Sequence, residues 1–167
     1  DWSDICIGRP DGSEHRVLTN GRAQWFGATY GPREHHAGGS NMPTWTRDGC
    51  TLFSRKLPDS KVPWEFQSHR PDTDHFNRDF KPELARGGTE ICRLNPRDGS
   101  MRPLTHSEPP VWDLRPSESS DGRQIIFCRA ETGGAAGIWV MDSNGRRPSL
   151  LTRGVEDKGA DHPRWLP

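Results

Sequence analysis

Residues 137–152, GIWVMDSNGRRPSLLT, decide the fold, because an apolar run, an Asn-Gly pair and a second apolar run follow one another within sixteen residues. Asn-Gly and Asp-Gly supply the positive φ angles that tight hairpin turns require. The same order occurs three times in the chain, with an Asp-Gly pair in the other two copies. The bounding residues are Ile5 and Leu18, Ile91 and Leu104, and Ile138 and Leu151, always 13 residues apart. Each copy predicts a strand, a tight turn and a strand.

A second unit alternates with the first. Residues 43–49 (PTWTRDG) precede the apolar run 51–53, residues 116–122 (PSESSDG) precede the run 124–127, and residues 163–165 (PRW) begin a third copy. This unit also predicts strand, Asp-Gly turn, strand. Joined to the first unit, it makes a four-stranded antiparallel meander of roughly 40–50 residues, the length expected of a β-propeller blade.

Four phrases, PTWTRDGCTLFSR, SESSDGRQIIFCR, GIWVMDSNGRRPSLLT and DHPRW, resemble the WD-like repeat of the TolB-type propeller family. The resemblance covers nearly the whole chain outside residues 20–42 and 56–87. Glu118 stands where that repeat has Trp, and Arg47 and Ser120 stand where it has Pro. The resemblance implies an all-β fold of propeller blades.

The repeat predicts about two full blades and two partial ones. The expected units are the outer half of a blade over 1–19, a blade over 43–105 with an insertion at 56–87, a blade over 111–152, and the first strand of another over 163–167. Propellers usually close with about 4–8 blades of four strands. We therefore expect a fragment of a larger propeller, with the remaining blades in the full-length chain; assembly of several copies is the alternative.

Individual strands can be placed from the same pattern. They are expected near residues 4–9, 14–18, 43–46, 50–55, 90–95, 101–104, 124–129, 137–142 and 148–151. No helix of three or more turns is expected outside residues 20–42 and 56–87.

Composition narrows the classes of partner. The chain of 167 residues has 23 Lys and Arg and 23 Asp and Glu, so no net charge attracts nucleic acid. It has no stretch of about 18 apolar residues, so membrane insertion is not expected, and it opens without the charged and apolar segments of a signal peptide. Cys6 and Cys92 occupy equivalent positions in neighbouring blades, too far apart for a disulfide. Cys50 follows an Asp-Gly turn and Cys128 lies inside a strand, and all four cysteines are expected to be free thiols.

Strand order in a meander decides which loops share a face. The Asp-Gly and Asn-Gly turns should lie on one face, the turn face. The long segments 20–42, 56–87, 106–115 and 153–162 should lie on the other, the loop-rich face, with six of the seven histidines. Binding residues gather on loops held by a rigid scaffold. The predicted binding residues are Trp25, Tyr30, Arg33, Trp64, Arg70, Trp112, Asp113 and Arg115.

This face predicts a non-catalytic binding module for a protein, peptide or glycan. The resemblance to the TolB family implies a periplasmic or cell-envelope setting and a protein or peptide partner. A divalent metal, Mn, Ca or Zn, is a possible cofactor. Its candidate ligands are Asp72, Asp74, His75 and His162. The alternative for the insertion is a polar loop whose carboxylates pair with neighbouring Arg and Lys side chains.

An enzyme is the alternative function. Oligogalacturonate lyases use a similar propeller, in which a metal stabilises an enolate-like charge and a histidine abstracts a proton. His35, His36 and His106 are the candidate catalytic residues. A further alternative is the accessory propeller of a prolyl-peptidase-like hydrolase. The chain has no Gly-x-Ser-x-Gly elbow, phosphate loop or dinucleotide fingerprint.

Overall fold

The computed structural model describes residues 4–21, 43–61, 64–66, 78–80, 82–84, 86–131, 135–153, 159–160 and 162–166. The strands are β1 Cys6–Ile7, β2 Arg16–Val17, β3 Thr44–Trp45, β4 Thr51–Lys56, β5 Trp64–Phe66, β6 Arg78–Phe80, β7 Thr89–Leu94, β8 Met101–Pro103, β9 Val111–Glu118, β10 Gln124–Glu131, β11 Gly137–Asp142 and β12 Ser149–Thr152. One 3₁₀ turn covers Pro82–Leu84, and no described helix has the length and apolarity to cross a membrane. The fold is all-β, as predicted.

The strands form blades in the predicted order. In the first blade, β3 pairs with β4, β4 with β7, and β7 with β8, all antiparallel. In the second blade, β9, β10, β11 and β12 pair in sequence, also antiparallel. The hairpin β1–β2 precedes both. Nine of the twelve described strands lie at the nine predicted positions. The other three are β9, which had no position among the nine, and β5 and β6, inside the insertion.

The cores lie between the blades. Successive residues of a strand point to opposite faces of its sheet, so each blade can pack on both sides. Ile125 and Phe127 of β10 pack toward the first blade, against Leu52, Ile91 and Leu104. Their neighbours Ile126 and Cys128 join a separate cluster with Trp112 and Ile138, against which Trp165 packs. A third cluster joins Ile5 of the first hairpin to Phe53, Cys92 and Leu94 of the first blade.

Two glycines allow the blades to approach closely. A Cβ at Gly88 would lie 1.9 Å from the Val111 carbonyl oxygen, where β7 of the first blade meets β9 of the second. A Cβ at Gly145 would lie 2.2 Å from the Leu104 carbonyl oxygen. The Asn144–Gly145 turn of the second blade therefore lies against the end of β8 in the first. Thr89 and Trp112 form the one parallel pair between β7 and β9.

Candidate functional site

Backbone hydrogen bonds join the two ends of the insertion at Lys61 and Arg86, here called its base. The backbone N–H groups of Lys61 and Arg86 each donate to the other's carbonyl, at 2.8 and 3.1 Å. Ser60, which is buried, donates its hydroxyl to the Gly88 carbonyl and accepts from the Gly88 N–H, both at 2.9 Å. Beyond this base, β5 and β6 pair as an antiparallel hairpin. The sequence signal that was overlooked is the short alternation WEF and RDF at either end of the loop.

A buried ion pair lies where the second blade meets the preceding connection. Arg129 of β10 donates from Nε to Asp113 Oδ1 at 2.6 Å and from Nη2 to Asp113 Oδ2 at 2.9 Å. The Ser107 hydroxyl donates to the same Oδ2 and accepts from Arg129 Nη2 at 3.4 Å. Hydrogen bonding to Asp113 raises the pKa of Arg129. This bidentate geometry holds the guanidinium in one orientation.

Aromatic rings support the same guanidinium. Its central carbon lies 4.9 Å from the Trp139 ring centroid and 5.3 Å from that of Phe127. Phe127 and Trp139 are cross-strand partners, and Arg129 faces Gly137, which has no side chain to displace it. Cation–π contacts of this kind favour Arg over Lys.

Arg129 lines a cleft of about 550 Å³ between the two blades. The connection that follows β8 forms one wall, with His106, Ser107 and Pro109, and the β11–β12 hairpin contributes Gly145 and Pro148. The expectation that every Asp-Gly or Asn-Gly turn lies opposite the histidine-bearing loops is wrong for Asn144–Gly145. In the structure this turn packs against the Leu104 carbonyl, beside the connection that carries His106.

A second cleft, of about 410 Å³, occupies the corresponding place between the first hairpin and the first blade. It is lined by Gly21, Arg55 and Glu90, together with residues 56–59 at the base of the insertion. Arg55 donates to Glu90 from Nε at 2.8 Å and also from Nη2. Each of these two clefts thus contains an arginine from the second strand of a blade, paired with a largely buried carboxylate.

Three predicted binding residues lie in a strand and not in a loop. The connection 106–115 was expected to be irregular throughout, but β9 begins at Val111. Trp112 and Arg115 are 6% and 8% exposed, and Asp113 is fully buried. Trp112 packs in the core and Asp113 pairs with Arg129, so tertiary contacts extend the strand toward the previous blade. The placement was wrong for these residues; their role in binding remains a prediction.

Two candidate histidines fall within the described residues, and both side chains are exposed. His106 lines the 550 Å³ cleft. His162 has a positive φ, and its pKa is lowered by partial burial and then by the nearby charges of Arg115 and Arg164. Within the described ranges, no group of three or more His, Cys, Asp and Glu side chains could hold a metal.

Several predicted residues lie outside the described part of the chain. They are Trp25, Tyr30, Arg33, His35, His36, Arg70, Asp72, Asp74 and His75. Trp64 lies in β5, but its side chain is also outside what the structure describes. The metal and catalytic hypotheses that use these residues remain predictions.

No family model matches the chain. The Tol-Pal system protein TolB 1 of Novosphingobium aromaticivorans is 36% identical over 83 residues, which is 48% of this chain and 17% of that protein. The crystal structure of TolB from Acinetobacter baumannii matches with a TM-score of 0.38 and 14% identity, over 93% of this chain and 50% of that one. The chain therefore spans half or less of the length of these relatives. The sequence match, together with the repeated four-stranded blades, makes this chain similar to the TolB-type β-propellers.

Proposed function

We propose that these blades form part of a TolB-like propeller that binds a protein or peptide on its loop-rich face. The observation that carries the proposal is the cleft beside His106, where a rigidly held arginine lies between two blades. Rigid placement of a polar group favours binding, because little side-chain entropy is lost when a partner contacts it. The sequence relative is a Tol-Pal system protein, so we propose a Pal-type protein as the partner and the cell envelope or periplasm as the setting.

The polar groups of the Asp-Gly turns differ from those of the cleft, because they are already hydrogen-bonded. The carboxylates of Asp11, Asp98 and Asp121 accept hydrogen bonds within their own turns, from Ser13, Ser100 and Ser119. These bonds lower the pKa of all three carboxyl groups. Because these carboxylates already accept hydrogen bonds within their own turns, the turn face offers a partner fewer hydrogen-bonding groups than the cleft does.

Binding of a Pal protein tests the proposal. We expect the isotope-labelled chain, titrated with purified Pal from Novosphingobium aromaticivorans, to show amide shift changes at His106 and Ser107. His106→Ala should weaken binding several-fold, as loss of an interface side chain commonly does.

His15→Ala is the matched control. His15 is exposed like His106, but it lies in the β1–β2 hairpin and does not line the cleft beside Arg129. It should leave the affinity unchanged. No saturable shift change on addition of Pal, or equal losses for the two variants, would argue against a partner on the loop-rich face.

A further inference from the structure

Arg129 has a nitrogen that the ion pair does not use. Nε and Nη2 are both directed at Asp113, and Nη2 also reaches Ser107. Among the described residues, no oxygen or sulfur accepts a hydrogen bond from Nη1. The side chain is 22% exposed where it lines the cleft. A guanidinium nitrogen held in a fixed position therefore offers donors to an incoming acceptor.

In the first blade, the corresponding arginine nitrogen donates a hydrogen bond to another residue of the chain. Arg55 faces Glu90 on the third strand as Arg129 faces Gly137, so the two arginines occupy equivalent positions. Arg55 Nη1 donates to the Met101 sulfur at 3.6 Å. Met101 lies three residues before the Leu-Thr pair that ends its repeat, and Pro148 occupies that place in the second blade. A proline side chain has no acceptor, so Arg129 in the 550 Å³ cleft lacks the internal partner that Arg55 has in Met101.

The charges around Nη1 favour a neutral acceptor. Asp113 already neutralises Arg129 at 2.6 Å, and Glu108 adds a negative charge to the cleft lining. An anion would gain little attraction there, whereas a carbonyl oxygen needs only the open N–H groups. Pro109, Val111 and Pro148 supply apolar contact area. The cleft volume of about 550 Å³ lies within the usual range for ligand sites, about 300–1,000 Å³.

We propose that this cleft is a subsite for an extended peptide. A backbone carbonyl of the peptide accepts from Arg129 Nη1, and an adjacent apolar side chain packs against Pro109, Val111 and Pro148. The subsite rests on the proposed protein-binding function, since it assigns part of the partner's contact to one place between the blades.

A blocked tripeptide without charges, N-acetyl-Ala-Val-Ala methylamide, is the direct probe. We expect it to shift the amide resonances of His106, Ser107 and Gly145 saturably at millimolar concentrations. Pro148→Met should place a thioether over Nη1, as Met101 does over Arg55, and weaken binding about tenfold, which corresponds to about 1.4 kcal/mol. Ser149→Met adds the same side chain one residue away, outside the cleft lining, and should leave binding and the melting temperature unchanged.

Each outcome decides the proposal. It is overturned if the tripeptide moves none of these amides, if Pro148→Met binds it as well as the parent does, or if sodium acetate shifts the same amides at lower concentration. If Pal binds and the tripeptide does not, the subsite is wrong and the protein-binding function stands. If the tripeptide binds and Pro148→Met weakens that binding, but Pal does not bind, the subsite is supported. Pal is then rejected as the partner.

Discussion

Glu118, Arg47 and Ser120, the three residues that depart from the TolB-type repeat, meet in one contact between the blades. The Arg47 backbone N–H donates to Glu118 Oε2 at 2.7 Å, and Arg47 Nη1 donates to the Ser120 carbonyl at 3.3 Å. Glu118, whose side chain is 4% exposed, also pairs with Arg93 at 3.2 Å. A proline at position 47 would have no N–H to donate. The departures at Arg47 and Glu118 are therefore linked by a hydrogen bond that the proline of the repeat could not donate.

Arg47→Pro tests this dependence. Arg47 is the second residue of a turn closed by the Gly49 N–H and the Thr46 carbonyl at 3.0 Å, and proline suits that position. The turn should survive, but Glu118 loses a charge-assisted hydrogen bond worth about 1.5–3 kcal/mol. Proline recovers about 0.4–1 kcal/mol by restricting the unfolded chain. We expect a net loss of roughly 1–2 kcal/mol in the free energy of unfolding, measured by urea denaturation.

The same substitution in a Glu118→Ala background is the control. Without the carboxylate there is no hydrogen bond to lose, so proline should be neutral or slightly stabilising. Arg47→Ala, which keeps the N–H, should cost less than Arg47→Pro in the parent. Equal effects of proline in both backgrounds would show that the two positions are independent.

The four cysteines are free, and their environments differ. Burial raises the pKa of Cys92 to about 12 and that of Cys128 to about 11, whereas Cys6 is exposed. At pH 8 only about one Cys92 in ten thousand is a thiolate, the reactive form. We expect a thiol reagent to modify Cys6 first in the native protein, and all four cysteines in denaturant without reductant. Rapid modification of Cys92 in the native state, or two or fewer thiols in denaturant, would contradict this.

Individual strands were predictable where the signal is local. An Asp-Gly or Asn-Gly pair between apolar runs specifies a hairpin within about a dozen residues, and β7–β8 and β11–β12 follow directly from it. The beginning of β9 at Val111 was not predictable in this way. Its first residues are held by contacts distant in sequence, with Thr89 pairing with Trp112 and Arg129 with Asp113. The hairpin β5–β6 was obscured because a polar loop separates its short strands.

Substitution of Gly88, which immediately precedes β7, should lower the free energy of unfolding strongly. Its Cβ would lie 1.9 Å from the Val111 carbonyl oxygen, so Gly88→Ala must separate β7 from β9. Overpacking against backbone cannot relax by a rotamer change, and we expect a loss of at least about 2 kcal/mol in the free energy of unfolding. Gly8→Ala is the matched control, since the nearest atom to its Cβ would be 3.5 Å away. A similar stability for both variants would disprove the close approach.

At the scale of the whole molecule, the repeat predicted the order of the blades, but not which polar groups would face a partner. Asp113 was predicted from its sequence position as a binding residue, yet it is fully buried beneath Arg129. Arg129 was not singled out, because a lone arginine in a strand has no sequence signal. The equivalence of Arg55 and Arg129 follows from the strand registers of the two blades, and the Arg55–Met101 contact shows why Pro148 at the matching position matters.

The insertion provides the last prediction, because backbone hydrogen bonds close its base. Lys61 and Arg86 exchange two backbone hydrogen bonds, the geometry that flanks a two-residue hairpin turn. Replacing residues 62–85 by Asn-Gly should therefore leave the blades folded, with a free energy of unfolding within about 1 kcal/mol of the parent.

The same variant tests the metal hypothesis, since it removes Asp72, Asp74 and His75 together. If the insertion holds a divalent ion, zinc or manganese should raise the melting temperature of the parent, with stabilisation of about 2.7 kcal/mol at a hundredfold excess over the dissociation constant. The Asn-Gly variant should show no such increase, and His75→Ala combined with His106→Ala should show less than the parent. Unchanged melting of the parent with either metal would leave the insertion without a metal role, and unfolding of the variant would show that the tip is needed for the blade.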